Sequence, residues 1–414
     1  MRTVDSEESA MGRGIREKGP VESGRVRQGS PQMPPDSPAP YDVAVVGLGP
    51  VGATLAVLLG RRGLRVVALD RDTAPHSLPR AAHLDGHALR VLAEAGAPAT
   101  GRPLDGFDLV DRTGRLLLRG RPREAPPDGF PVSLLIHQPT IERDLRARLA
   151  TLPTVTVRLG HTVEEVAEAD GGVVLTGTST EGRFEARAAW VVGCDGASST
   201  VREAMGAVLE GRGFDQTWLV VDVQLHDGAG ADLPDRLRQI ADPAVPATYV
   251  PFADPRRRWE FRLAADEDAE AARRPEAVRA RLAPFVDPDA VTVERAAVYT
   301  FHDLVARPWS RGRLVLAGDA AHQMPPFLGQ GLGAGLRDVS VLAPALTAAV
   351  HGRTDTLAPY EAIRRPHIEA TVRQAVRLGR LVTLPEPWAS LRDGALRLGL
   401  RTPGLRRWLR DVRG

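Results

Sequence analysis

Lysine is almost missing from this chain of 414 residues, because all but one of its 54 lysine and arginine residues are arginine. The single lysine, Lys18, lies in a polar N-terminal stretch. A catalytic Schiff base needs a lysine amine, and a phosphate loop of the form G-x-x-x-x-G-K-[ST] needs a lysine beside the phosphates. The sequence therefore excludes both kinds of chemistry from the part of the chain that we expect to fold.

Cysteine is nearly as scarce, since Cys194 is the only one. One thiol cannot form an internal disulfide, and it cannot build an iron–sulfur or zinc site from several thiolates. This usage fits a reducing cytoplasm, and we predict no metal site. Cys194 follows a predicted strand and precedes an acid, so we expect a small packing residue rather than a reactive thiol.

Long apolar runs and an excess of one charge are also missing. No uninterrupted apolar run reaches the roughly 18 residues that a membrane span needs, and no apolar stretch follows a basic start. Acidic residues number 52, which leaves a formal charge of +2. With 43% hydrophobic residues, the composition indicates a cytoplasmic globular protein that neither spans a membrane nor binds nucleic acid.

The order of apolar patterns predicts a nucleotide-binding domain with an insertion. Residues 1–40 mix Gly, Pro, Ser and charges without period, and we expect them to be disordered. The run YDVAVVG, an apolar helix and LRVVALD form a βαβ unit. Alternating runs over 208–301 indicate an antiparallel substrate-binding sheet, inserted between 41–207 and 302–383. An Arg-rich helical tail, 384–414, follows.

The first glycine cluster predicts dinucleotide binding. Gly47, Gly49 and Gly52 come directly after a strand and open a helix, so they allow a tight turn, close approach of a pyrophosphate and close helix–strand packing. The helix N-terminus favours the anion. Asp70, at the end of the second strand, lies where a carboxylate accepts hydrogen bonds from a ribose.

Two further strand ends carry turn-and-acid clusters. Asp195 and Gly196 end one strand, with Arg202 in the helix that follows, and Gly318 and Asp319 end another. Open parallel sheets bind ligands at their carboxyl edges. Three such clusters predict one long ligand rather than a single nicotinamide nucleotide.

With these motifs, the chain resembles the FAD-dependent aromatic-ring monooxygenases of the p-hydroxybenzoate hydroxylase fold. Their signatures are the G-x-G-x-x-G loop, an Asp-Gly motif and a Gly-Asp motif, and all three occur here. The runs HQPTIERDL, TYVPF, RRWEF and GDAAHQMPPFLGQGLGAGLRD are similar to the 3-(3-hydroxyphenyl)propionate hydroxylase branch. The resemblance covers about residues 41–382. It implies an α/β fold with a Rossmann-type FAD-binding domain, an inserted, mainly antiparallel β substrate domain and C-terminal helices.

The resemblance also implies roles for single residues in FAD binding. Asp319 would hold the ribityl chain, and Arg80 and Gln138 would contact the flavin or its pyrophosphate. Asp195 with Arg202 would support the pyrophosphate side and the docking of the nicotinamide nucleotide.

Three residues that open a late helix complete the expected flavin site. The backbone of Gly331, Leu332 and Gly333 would face the pyrimidine edge of the flavin, where a positive helix end stabilises the anionic reduced ring.

The activity that the resemblance implies is hydroxylation of a small phenolic or aromatic substrate with O2 through a flavin C4a-hydroperoxide, after reduction by NADH or NADPH. Pro325 and Pro326 would position the substrate by presenting a backbone carbonyl to its hydroxyl. Tyr249, His302 and His322 are candidates for a base that forms the phenolate, and none is assigned.

Several points keep alternatives open. Relatives often carry asparagine at Val341, tryptophan at Pro344 and a larger residue at Gly333, and many add a thioredoxin-like domain that we do not expect here. A flavoenzyme of the same fold with other chemistry, such as an epoxidase or reductase, and a flavin-binding protein without turnover therefore remain alternatives. No W-x-W halogenase motif and no G-x-S-x-G hydrolase elbow occur. The oligomeric state stays open, with a homodimer as one expectation.

Overall fold

The computed structural model describes residues 41–75, 77–120, 129–169, 171–252 and 255–399. The predicted disordered stretch 1–40 and the end of the predicted tail, 400–414, lie outside the described residues.

The strands are β1 (Tyr41–Val46), β2 (Val66–Asp70), β3 (His83–Asp85), β4 (Gly101–Pro103), β5 (Phe107–Val110), β6 (Leu116–Gly120), β7 (Ser133–Ile136), β8 (Val155–Leu159), β9 (His161–Ala169), β10 (Gly172–Ser179), β11 (Gly182–Gly193), β12 (Val208–Gly211), β13 (Gln216–Leu225), β14 (Leu237–Ile240), β15 (Ala247–Pro251), β16 (Arg256–Arg262), β17 (Val291–Phe301), β18 (Leu304–Arg307), β19 (Ser310–Arg311), β20 (Leu314–Leu316) and β21 (His322–Gln323).

The α-helices are α1 (Pro50–Gly60), α2 (Gly86–Glu94), α3 (Gln138–Leu149), α4 (Thr200–Ala204), α5 (Ala269–Ala272), α6 (Pro275–Leu282), α7 (Gly331–Val350), α8 (Ala358–Val382) and α9 (Trp388–Gly399). Short 3-10 helices lie at Pro288–Ala290, Gly318–Ala320, Pro326–Leu328 and Thr354–Leu357.

The first sheet has a parallel centre, as its buried β-branched strands predict. Its order is β19-β20-β11-β1-β2-β8, and β10 and β9 continue from β11 as an antiparallel meander. Strands β20, β11, β1, β2 and β8 run parallel. Because their carboxyl ends meet at one edge, the loops after β1, β2, β11 and β20 are neighbours there.

Helices on the parallel sheet bury the main core. All residues of α1 from Gly52 to Gly60 are buried, since this helix lies between the sheet and the flanking helices α3 and α7. One hydrophobic cluster joins β1, β2 and β11 to α1, α2, α3, α7 and α8. This packing fixes the starts of α1 and α7 relative to the strand ends.

The second sheet is mainly antiparallel, with the order β17-β13-β16-β15-β14-β5-β6. Only its β14–β5 pair is parallel. Residues of its outer face pack against α6, whose Val278 and Leu282 are buried in the same hydrophobic cluster as Trp259 and Phe261. The inner face carries buried polar residues, which lie toward the loops at the edge of the first sheet.

Two three-stranded sheets connect the larger ones. One has the order β12-β18-β21 and the other β3-β7-β4. They hold the segment after β20 and the segment before α2 beside the inner face of the second sheet. No helix in the described ranges is both long and apolar enough to cross a membrane. The predicted fold class is confirmed: a parallel α/β unit, an antiparallel sheet placed between its parts, and late helices.

Candidate cofactor and active site

A cleft opens at the carboxyl edge of the parallel sheet, between the loops that follow β1, β2 and β11. It brings together seven of the predicted cofactor residues, which are Gly47, Gly49, Asp70, Arg80, Gln138, Asp195 and Gly196. The loops that the sequence separates by more than 100 residues therefore share one binding surface.

The glycine loop approaches the Asp-Gly loop so closely that side chains are excluded. Gly47 has φ +91°, and a Cβ there would lie 2.5 Å from the Cys194 carbonyl oxygen. A Cβ on Gly52 would lie 1.9 Å from the Gly47 carbonyl oxygen. At Gly49 a Cβ would meet nothing within 4 Å, and no side chain caps the N-terminus of α1. The loop thus presents free backbone to the cleft.

Asp70 holds the glycine loop from the neighbouring strand. Its Oδ2 accepts the Leu48 N–H at 2.6 Å, and its Oδ1 accepts the Asp72 N–H at 2.8 Å. The carboxylate keeps further lone pairs and lines the cleft. It can therefore accept a hydroxyl while it fixes the loop.

Asp195 leaves one buried oxygen without a partner. Its Oδ2 accepts the Val201 N–H at 3.2 Å, whereas Oδ1 is buried and has no hydrogen bond among the described residues. Burial raises the pKa of this carboxyl, although hydrogen bonds from Ser199 and the Val201 backbone act in the opposite sense. An unpaired buried acceptor is costly unless a donor reaches it. The adjacent Gly196 has φ +80° and opens the turn.

Arg202 ties the second and third loops together. It is 6% exposed and donates to the Ala197 carbonyl at 2.8 Å and to the Ala320 carbonyl at 3.3 Å. Ser199 caps the helix and accepts the Arg202 N–H at 3.0 Å. Arg202 does not line the cleft. Its position shows a structural tie between the Asp-Gly and Gly-Asp motifs.

The Gly-Asp motif lies against the start of α1. Gly318 has φ +63°, and a Cβ there would lie 3.3 Å from the Val51 side chain. The side chain of Asp319 reaches the surface, but the protein around its carboxyl displaces water and thereby raises its pKa. The charges of His322 and Arg80 act in the opposite sense and are smaller. No hydrogen bond occupies its side chain among the described residues, so it is available to a ligand hydroxyl.

A buried network that the sequence did not reveal supports this motif. Asp338 in α7 accepts the Gly318 N–H at 3.1 Å, pairs with His322 Nε2 at 2.6 Å and accepts Arg364 Nε at 2.9 Å. The pKa of the Asp338 carboxyl is lowered, because the His322 and Arg364 contacts outweigh the effect of burial. Tyr360 donates to the Leu316 carbonyl at 3.0 Å beside it. The run GLRD therefore includes an aspartate that fixes the loop after β20.

On the other wall of the cleft, the amide of Gln138 is already engaged. Its Oε1 accepts the Ala81 N–H at 2.6 Å, and its Nε2 donates to Glu142 at 2.7 Å. Burial raises the pKa of Glu142. Arg146 also lines the cleft, and its Nε is buried without a partner. Glu142 and Arg146 follow Gln138 by one and two helical turns, a spacing that could have suggested a shared face.

The start of α7 is held by a second ion pair. No side chain caps α7, and a Cβ on Gly331 would meet nothing within 4 Å. Leu332 is half-buried and Gly333 buried. Arg337 donates to Asp85 at 2.6 Å, and a Cβ on Gly333 would lie near both side chains. A side chain at Gly333 would therefore contact this pair.

Pro325 and Pro326 form a rigid turn before α7. The Pro326 carbonyl accepts the Gly329 N–H at 2.8 Å, and Gly329 has φ +63°. Between them, Phe327 meets the Trp218 ring edge-on at 5.5 Å. The turn thus joins the Gly-Asp motif to β13 of the second sheet.

The three candidate bases are all engaged away from the cleft. Tyr249 lies on the outer face of the second sheet and donates to the Pro234 carbonyl at 3.0 Å. His302 contacts Asp215 at 2.5 Å, and His322 belongs to the Asp338 network. None of them lines the cleft described above.

The inner face of the second sheet carries a cluster of buried charged side chains. Arg258 is 5% exposed and donates to Asp222 at 2.7 Å and to the Arg80 carbonyl at 2.7 Å. Arg295 also donates to Asp222. Glu260 lies 3.9 Å from Arg258 and accepts no hydrogen bond among the described residues. Burial raises the pKa of its carboxyl.

Cys194 packs at the end of β11. It is half-buried, and burial together with the charges of Asp195 and Asp338 raises the pKa of its thiol well above the usual value. A thiolate is thereby disfavoured, as the strand-end position predicts.

These residues fit a dinucleotide. A backbone cradle that excludes side chains, an uncapped helix N-terminus, an orphaned Asp195 oxygen and free Asp319 carboxylate oxygens match a pyrophosphate and polyhydroxyl chain. Among the described residues, no group of three His, Cys, Asp or Glu side chains could hold a metal ion.

Comparisons with known proteins agree with this geometry. A family model described as FAD binding domain matches residues 40–375. The probable NADH-specific resorcinol 4-hydroxylase of Rhodococcus jostii is 39% identical over 352 residues, which cover 83% of this chain and 66% of the relative. The 3-(3-hydroxy-phenyl)propionate/3-hydroxycinnamic acid hydroxylase 2 of Burkholderia vietnamiensis is 38% identical, over 90% of this chain and 69% of the relative. The chain spans about two thirds of the length of these curated relatives.

Among solved structures, the p-nitrophenol 4-monooxygenase PnpA from Pseudomonas putida DLL-E4 superimposes with a TM-score of 0.79 at 28% identity. The match covers 90% of this chain and 97% of that protein.

Proposed function

This chain belongs to the FAD-binding-domain family, as its motifs predicted, and we propose that it is a monooxygenase that uses NADH or NADPH and O2 to hydroxylate a phenolic ring. The observation that carries the proposal is a cleft at the ends of β1, β2 and β11, with the loop after β20 held beside it by Arg202 and Asp338. Relatives and a solved neighbour named for resorcinol, hydroxyphenylpropionate and nitrophenol support a phenolic substrate.

We assign the adenine-nucleotide half of FAD to the first two loops. Backbone N–H groups after Gly49 would bind the pyrophosphate, and Asp70 would accept a ribose hydroxyl. Asp195 and Gly196 would line the pyrophosphate side, where the orphaned Asp195 Oδ1 would accept a hydrogen bond from a ligand hydroxyl rather than contact a phosphate oxygen. Gly47 and Gly52 act by leaving room, and their positions beside backbone support that role.

We assign the flavin half to the loop after β20 and the start of α7. Asp319 would accept ribityl hydroxyls, and Arg80, which lines the cleft and whose charge lowers the pKa of Asp319, would approach the same region. Gln138 would act indirectly, because its amide holds the Ala81 backbone beside Arg80. Arg202 and Gly318 would position the loop rather than touch FAD.

The uncapped start of α7 would face the flavin ring. N–H groups of Gly331, Leu332 and Gly333 would stabilise negative charge there. Bound FAD would supply hydride acceptance and activation of O2. The chain's part is to hold the substrate ring and to keep water away from the reacting atoms.

We propose that the substrate ring lies between the Pro325–Pro326 turn and the inner face of the second sheet. Phe327 contacts Trp218 at this junction, which supports a closed apolar wall. Glu260 lies 3.9 Å from Arg258 but accepts no hydrogen bond within the described part of the chain, so we assign it to accept the phenol proton. Thr248 Oγ1 and Gln239 Oε1, joined at 3.0 Å, continue the same polar row and would meet a second polar substituent.

The remaining proposals concern organisation. We propose that residues 41–207 and 302–383 form the FAD-binding domain, with the substrate sheet centred on 208–301 and a short helical tail from 384. Strands β5 and β6 extend that sheet from the first segment. We also propose a cytoplasmic homodimer, which light scattering of the purified protein tests.

The experiment is turnover with a panel of phenols. We expect a yellow protein whose oxidation of NADH or NADPH is stimulated by resorcinol or 3-(3-hydroxyphenyl)propionate, with matching O2 uptake and a product heavier by one oxygen atom. Hydrogen peroxide without such a product from any phenol would favour other chemistry. A colourless protein that takes up no FAD would refute the proposal.

A further inference from the structure

The outer face of the second sheet presents a row of aromatic and cationic side chains. Arg238 in β14 pairs directly with Tyr249 in β15, and Tyr249 pairs with Trp259 in β16. Directly paired residues of adjacent strands point to the same face. The rings of Tyr249 and Trp259 lie 5.1 Å apart. In the next row, Phe261 occupies the corresponding place on β16.

A cavity of ≈ 550 Å³ lies over this row, between the sheet and the end of α6. Phe285 closes it from above, with ring centres 6.4 Å from Trp259 and 6.0 Å from Phe261. Pockets for small organic ligands have volumes of about 300–1,000 Å³ and mostly apolar walls. The cavity shares no lining residue with the cofactor cleft, so it would be a separate site.

One partly buried cation of this cavity, Arg238, has no partner among the described residues, whereas the equally unpaired Arg112 is exposed at the rim. Arg238 makes no hydrogen bond or ion pair within the described ranges, and its Nε is buried. By contrast, Arg281 at the cavity wall pairs with Glu267. A buried guanidinium N–H without an acceptor calls for a ligand or a water.

The acids at the cavity do not neutralise Arg238. Asp111 is occupied by Arg397 and by its own turn. Asp242 accepts the Ala244 N–H at 2.9 Å. Asp232 is exposed at the rim and makes no ion pair with Arg238. Burial raises the pKa of the Tyr249 phenol, and the charge and hydrogen bond of Arg257, with a smaller effect of Arg238, act in the opposite sense.

We propose that this cavity binds a second small molecule, an aromatic monocarboxylate, at a site distinct from the cofactor cleft. The ring would lie against the partly exposed Leu233, Val245 and Phe285, over the buried Tyr249 and Trp259, and the carboxylate would accept hydrogen bonds from Arg238. A ligand of this site would therefore need both a planar apolar ring and one negatively charged group.

The test is isothermal titration calorimetry of the FAD-loaded protein with 1-naphthoate and with its neutral analogue 1-naphthalenemethanol. Arg238→Gln should weaken 1-naphthoate at least about tenfold, because it removes a charge-assisted contact, and should leave 1-naphthalenemethanol unchanged. Ala280→Trp places a large side chain at the exposed mouth on α6 and should abolish binding of both compounds.

Arg273→Gln, at a surface ion pair of α5, is the matched control and should change neither affinity. Flavin absorbance and NADH oxidation without substrate should be the same in all variants. Equal 1-naphthoate affinity in the wild type, R238Q and A280W would place that ligand elsewhere and overturn the proposal. Absence of 1-naphthoate binding to the wild type at millimolar concentration would overturn it as well. Since these readouts do not require turnover, failure here is distinguishable from failure of the proposed monooxygenase.

Discussion

Substitution by asparagine should lower the stability of the apoprotein at Asp338 but not at Asp319, where it should lower FAD affinity instead. Asp338 is 0% exposed and makes hydrogen bonds or ion pairs with three partners, Gly318, His322 and Arg364. Asp338→Asn removes the charge that pairs with a buried guanidinium, and breaking such a pair costs about 3–5 kcal/mol. We expect the free energy of unfolding at pH 7 to fall by that amount.

Asp319 differs because its carboxyl has no hydrogen-bond donor among the residues that the structure describes, and the loss of surrounding water raises its pKa. A carboxyl whose folded pKa is raised destabilises the folded state when it is ionised, so Asp319→Asn should leave the apoprotein as stable as before or slightly more stable. Its cost should appear in FAD affinity instead. Loss of a charge-assisted hydrogen bond, about 1.5–3 kcal/mol, corresponds to about 10- to 150-fold weaker binding.

The assay is urea denaturation of both apoproteins, followed by circular dichroism, with FAD affinity measured by flavin fluorescence. The pKa of Asp338 is lowered in the fold, so its contribution is full above its unfolded pKa of about 3.8 and disappears as pH falls through the folded value. The difference between D338N and wild type should therefore shrink below about pH 4. Equal stability losses for the two variants, or a D338N loss below about 1 kcal/mol, would refute the reasoning.

Three other substitutions test the remaining assignments. Gly52→Ala puts a Cβ 1.9 Å from the Gly47 carbonyl oxygen, so this variant should purify without flavin. Gly49→Ala, where a Cβ meets nothing within 4 Å, is the control and should keep its fold. A yellow G52A protein would contradict the prediction. Glu260→Gln should lower kcat by about 10²–10⁴-fold and remove the rise of activity with pH that a base of raised pKa produces; an unchanged pH–rate profile would exclude Glu260 as the base. Cys194→Ser should retain FAD, and iodoacetamide at pH 8 should label native Cys194 more slowly than the denatured thiol.

The parts of the fold that the sequence predicted depend on short-range patterns. Buried β-branched runs, a helical apolar period and glycines at strand ends are visible within some thirty residues, and they gave the βαβ unit with Gly47, Gly49 and Gly52 in place. The pairing of β14 with β5 could not be predicted, because two parallel strands 130 residues apart in the sequence leave no local sequence pattern.

The supporting contacts of the site escaped prediction for a related reason. Arg337 and Asp85 pair across 252 residues, and Asp338 joins partners from two other segments, the loop after β20 and α8. A charged residue inside a helix has the same local pattern whether it faces water or a buried partner. The candidate bases were predicted from chemistry alone, and the structure shows why that was insufficient. Tyr249, His302 and His322 can each accept a proton, but each is already hydrogen-bonded to another protein group.

The hydrogen bonds that Arg258 donates to the carbonyls of Pro79 and Arg80 have a consequence for engineering. They join a strand of the second sheet to the segment that carries Arg80 into the cleft. A chimera that exchanged this sheet for that of a relative would lose that brace unless the arginine and its Asp222 partner came with it. New ring specificities should therefore be easier to reach by point changes on the existing strands than by transplanting the whole insertion.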